Sequence, residues 1–79
     1  MSARLTLKPV NDNVFAVHTA DGRHVGNLKR VGTVWKFKAV GHADGGALEP
    51  GGGPLTMQHN ALFESPDPAA VNLRLAMHL

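Results

Sequence analysis

The residues of this 79-residue chain best suited to binding chemistry are its cations. Lys36 and Lys38 are two apart, and so are Thr6 and Lys8; in an extended chain such spacing puts both members on one face. Lysine ammonium groups gathered on one face neutralise phosphates and release counterions, which is the chemistry of nucleic-acid and other polyanion binding. Arg4, Lys8, Lys29, Lys36 and Lys38, five of the eight Lys and Arg residues, are the candidates, with His18 and Asn27 beside them. The six acids stand elsewhere: Asp12 and Asp21 at turn signals, and the other four after residue 40.

Other chemistries find less support. Histidines 18, 24, 42, 59 and 78 show no His-x-x-x-His or similar ligand spacing, and the chain has no cysteine, so no metal site is expected. Hydroxyls are few, Ser2, Ser65 and four threonines, and no nucleophile is paired with a base in a recognisable motif, so neither enzymatic activity nor a cofactor is expected. The run Gly51-Gly52-Gly53 between prolines can cradle phosphate with its amides, yet it lacks the Gly-Lys-Ser/Thr ending of a P-loop and equally reads as a connector.

What must position the lysines is a sheet. Residues 4–10 alternate polar and apolar, and runs at 14–20, 23–31 and 34–40 follow, separated by Asn11-Asp12-Asn13, Asp21-Gly22 and Gly32-Thr33. Asp-Gly suits a two-residue type I′ turn and Gly-Thr a type II′ turn, which gives an antiparallel meander of three to four strands. Counting outward from those turns pairs Phe15 with Leu28, Val17 with Gly26, Thr19 with His24, Leu28 with Phe37 and Gly26 with Ala39. One face then carries Leu5, Leu7, Phe15, Val17, Leu28, Phe37 and Ala39, and a one-residue slip in either hairpin would scatter that set. Gly26 beside Ala39 leaves a trough for a helix to approach.

The other face carries Arg4, Thr6, Lys8, Val10, Val14, Ala16, His18, Val25, Asn27, Lys29, Lys36, Lys38 and Val40, with His24 on the opposite side from His18. Lys29 directly faces Lys36, a repulsion that invites an anionic partner. Without a partner the same face is an ordinary solvated sheet surface kept soluble by lysine. It holds no aromatic side chain to stack bases, which argues against a single-strand platform. Trp35 reads as the edge of the core or an exposed anchor, with Arg30 opposite it and able to stack on the indole.

Residues 41–54 hold six of the nine glycines and read as a long loop. For 55–63 a short helix is expected, with 61–64 extended as the alternative. Ser65 or Asp67 caps a second helix over 69–79, entered through proline. Val71, Leu73, Leu75, Met77 and Leu79 alternate as in a strand, but Ala, Leu, Met and Arg favour a helix. On that helix they cannot all face one sheet, so a homodimer through this segment is expected.

A three-stranded sheet followed by a helix introduced by Phe63-Glu64-Ser65 is loosely similar to the plant AP2-type and integrase arm-type DNA-binding domains. That resemblance is one of topology and implies a sheet face in the major groove. Those families carry arginines and an aromatic where this chain has lysines, so no residue role is transferred.

The expected whole is one α+β domain, with sheet 4–42, Gly-rich loop 43–54 and a helical part 55–79 whose helix packs on the apolar face. No run approaches the roughly 20 apolar residues of a membrane span, so a soluble, cytoplasmic protein is expected. The expected function is a small non-enzymatic binding or protein-interaction module, with polyanion binding through the basic face as the alternative.

Overall fold

The computed structural model describes residues 4–42 and 45–78. The chain forms β1 (Leu5–Asn11), β2 (Val14–Thr19), β3 (His24–Val31), β4 (Val34–His42), β5 (Leu48–Pro50), β6 (Leu62–Phe63) and the helix α1 (Pro68–Leu75). The first five strands follow one another as an antiparallel meander, and β6 pairs with the first half of β4 while β5 pairs with its second half. The architecture is α+β, as the alternation and the helix cap imply. Two more strands are present than the expected four, because Leu48–Pro50 in the Gly-rich segment and Leu62–Phe63 in the supposed helical part both add to β4. Between them Thr56–Gln58 makes one 3₁₀ turn, so 55–63 is partly helical and partly extended.

The apolar row holds. Phe15 faces Leu28 and Leu28 faces Phe37. Leu5, Val17, Leu28, Phe37 and Ala39 are buried, and Leu7, Phe15 and Trp35 pack partly buried against them. Leu55, Phe63, Val71 and Leu75 complete the core. The expected trough at Gly26 is already full, because a Cβ there would collide with the Phe37 ring and come within 2.8 Å of the Lys38 carbonyl. Trp35 meets Phe15 edge to face at 5.5 Å and lies opposite Arg30, but Arg30 Nε donates to the Gly32 carbonyl at 3.2 Å. The guanidinium that stacks on a core ring is Arg74, over Phe63.

Turn chemistry was right at Gly32-Thr33, where Val31 pairs with Val34 around two residues and only the glycine has positive φ. Two other connections differ from expectation. The first loop is the two residues Asp12-Asn13, with the register shift taken up at Val10. The Asp21-Gly22 hairpin has a three-residue loop: Thr19 N donates to Arg23 O and Gly22 N to Thr19 O, each at 2.9 Å. Its cause is local, since the Thr19 hydroxyl donates to the Asp21 carboxylate and accepts from Arg23 N, and only Gly22 needs positive φ, at 90°. A wider loop shifts pairing by one, so His18 rather than Thr19 faces His24, and a β-bulge restores register at Val17–Gly26. Val25, expected on the lysine face, is thereby turned into the core.

α1 begins where its cap predicts: Asp67 accepts from Ala69 N at 3.2 Å and Pro68 occupies the first turn. Val71 and Leu75 bury against the sheet. Between them Asn72 grips the β1 edge, accepting from Leu5 N at 2.6 Å and donating to Leu5 O at 2.9 Å. Its amide therefore stands in for a neighbouring strand at Leu5 and closes that end of the β1 edge to pairing. Replacing Asn72 with leucine, close in size but unable to bond, is expected to cost about 1–3 kcal/mol. Chemical denaturation checks this, and a midpoint equal to wild type would contradict the edge-closing role.

Candidate anion-binding face

The lysine face is built by register. Across β1 to β4 one row reads Lys8, Ala16, Asn27, Lys38, and the next reads Val14, Lys29, Lys36. Lys29 and Lys36 are direct partners, as the turn counting predicts. Lys8 and Lys29 are exposed, Lys36 and Lys38 half-buried, and Arg4 is exposed just before β1. Lys38 is held in place by a 2.6 Å bond from Nζ to Asn60 Oδ1. Besides Val25, two expected members of this face, Ala16 and Val40, are buried, Val40 where it pairs with Pro50 of β5. The surface is thus a sheet floor with lysines over β1 to β4, bounded on one side by the β5 segment.

Sequence reasoning missed the histidines. The loop and bulge between β2 and β3 put His18 and His24 on the same face, with ring centroids 5.0 Å apart. His42, at the end of β4, lies 6.2 Å from His24. His24 Nε2 is 3.0 Å from Asn27 Oδ1, the ring nitrogen donating to the amide oxygen. Nothing in the linear spacing of 18, 24 and 42 announces this group. The usable signal was the Thr19-x-Asp21-Gly22 pattern, which supports a three-residue loop as well as a two-residue one. Among the described residues no three histidine or acidic side chains are placed to hold a metal ion.

Burial, then the charges of His24 and Lys8, hold the His18 imidazole below the ordinary histidine range. A depressed base leaves folding unaffected well above that range. Stability is lost as pH falls from the ordinary histidine value toward the lowered one, because the unfolded chain takes up a proton that the folded chain refuses.

The remaining candidates are tied up structurally. Gly51 N donates to Ala39 O at 2.7 Å and Gly52 N to Glu49 O at 3.0 Å, so two of the three amides of the glycine run are spent inside the chain. At Gly53, φ is 85° and any Cβ would strike Val40 O, so the run is a tight tuck against β4. His59 takes the β4 edge by accepting from Ala39 N at 3.0 Å through Nδ1.

The helix side carries a second feature. Val71 and Leu75 are spent in the core, whereas Leu73 is 80% exposed and Met77 75% exposed; Leu79 lies outside the described residues. With Leu62, Phe63, Ala70 and Arg74 they line an open groove of about 680 Å³. No helix among the described residues is long and apolar enough to cross a membrane. Comparison of the chain with protein-family models, curated protein sequences and solved structures gives no match.

Proposed function

We propose that this chain is a non-enzymatic binding module of the cytoplasm that offers the lysine face of β1 to β4 to an anionic partner, with the phosphate backbone of a nucleic acid as the fitting chemistry. The carrying observation is the direct pairing of Lys29 with Lys36, next to a row that ends in Lys38 on β4 and in Lys8 on β1. Like charges placed opposite each other weaken a sheet, and a phosphate between them removes the repulsion. A face whose cations are mainly lysines favours backbone contact over sequence reading, so binding is weak and salt-dependent. An NMR titration with short duplex DNA and RNA at low and raised salt tests it. Shifts confined to β1–β4 amides that vanish with salt are expected; unchanged amides at low salt defeat the reading.

A second reading is self-association, favoured by the exposure of Leu62, Leu73 and Met77 around one groove. A two-fold contact lets that patch cover its own copy. Sedimentation equilibrium at micromolar concentration is expected to give twice the 8.4 kDa chain mass, and Leu73→Glu to return it to monomer. A concentration-independent 8.4 kDa eliminates the dimer.

A further inference from the structure

We infer that His18, His24 and His42 make anion binding at this face proton-dependent, extending the lysine surface with further positive charge under mildly acidic conditions. This inference rests on the anion-binding reading of the lysine face and adds its regulation. The three rings form a chain, 5.0 Å and 6.2 Å between successive centroids, at one end of the lysine rows.

Among the described residues, the strands around the three rings present cationic or neutral side chains to them. β1 presents Thr6, paired with His18, and Lys8 in the adjoining row. β3 presents Asn27, bonded to His24, and β4 presents Lys38 two pairs before His42. β5 sets Leu48 against His42, while Glu49 pairs with Gly41 and so faces the other way. In the β2–β3 turn the Asp21 carboxylate accepts from the Thr19 hydroxyl. Free, His18 resists protonation, held below its ordinary range by burial, then by the charges of His24 and Lys8.

A bound polyanion reverses that balance. Phosphates laid along the lysine rows bring negative charge to the rings, so binding raises each histidine's proton affinity. By linkage, protonation must raise affinity for the polyanion by the same factor. Lysine charge does not change between pH 7.5 and 5.5, whereas histidine is the side chain that titrates in that interval. Each histidine raised by one pH unit on binding contributes up to roughly tenfold in affinity.

The test is a titration of the full chain with short duplex DNA at pH 7.5 and 5.5, at constant ionic strength. Wild type is expected to bind at least roughly tenfold more tightly at pH 5.5. The variant carrying His18→Gln, His24→Gln and His42→Gln is expected to lose most of the gain, its affinity at pH 5.5 staying close to its own affinity at pH 7.5. Equal wild-type affinity at the two pH values, or a triple variant that keeps the full gain, overturns the inference while leaving the lysine-face reading intact. Absence of wild-type binding at both pH values defeats the lysine-face reading itself, and the inference with it. Should the triple variant not fold, the same linkage is read on wild type. The imidazole resonances of residues 18, 24 and 42 are expected to titrate at higher pH with duplex DNA present, and unmoved midpoints overturn the inference.

Discussion

Leu28→Ala is expected to remove about 2–5 kcal/mol of folding stability, the cost of a large-to-small change at a site the surroundings cannot collapse into. Leu28 is fully buried and sits between Phe15 and Phe37 in one cross-strand row, so its loss opens a gap at the centre of the core. A domain of this length has a total stability of roughly 4–12 kcal/mol, so the variant is expected to be largely unfolded at a denaturant concentration that leaves wild type intact. Chemical denaturation measures it. A midpoint unchanged from wild type would mean that the row is not the core.

Reversing the charge at Lys29 and Lys36 together is expected to abolish polyanion binding at low salt. Each lysine–phosphate contact steepens the dependence of log affinity on log salt by about 0.9, so four lysines correspond to a slope near −3.5, and the double reversal removes about half before repulsion is counted. Stability serves as the control. Lys29→Glu with Lys36→Glu keeps a like-charged pair across the ladder and is expected to denature close to wild type, whereas Lys29→Glu alone creates an attractive pair and is expected to gain a few tenths of a kcal/mol. A single variant that is more stable yet binds less well is the signature of a repulsion retained for a ligand. If the double variant binds duplex DNA or RNA as wild type does, the lysine face is only a solvated surface.

The two outward faces of the molecule differ in kind. The lysine face is cationic with exposed apolar side chains at its margins, Val10, Val31, Leu48 and Leu62, while the groove beside α1 is apolar with Glu64 and Asp67 among its lining residues. Leu62 borders both, pairing with Lys36 and lining the groove, and the charge-reversal and Leu73→Glu variants separate a polyanion on the sheet from a second copy at the helix groove.

The sheet's apolar face, the opposition of Lys29 and Lys36 and the start of α1 were all legible in the sequence. Each rests on contacts near in the chain: a period of two within a strand, a turn that sets its own hairpin register, and a cap with proline just inside the helix. Legibility failed where competing local geometries differ by little energy or where the partner is distant. A two-residue and a three-residue loop at Asp21-Gly22 both satisfy the glycine, and the Thr19 hydroxyl network tips the balance. That single residue of slip, repaired by the bulge, sends Val25 inward and brings His24 to His18. Residues 48–50, inside the Gly-rich segment, and the pair 62–63 become strands because β4 has an unpaired edge to satisfy, a demand that no local propensity records. Asn72 meets Leu5 across 67 positions of chain. Of the alternating series from Val71, folding spends Val71 and Leu75 on the sheet and leaves Leu73 and Met77 outside, because a helix turns successive members of that series to opposite sides.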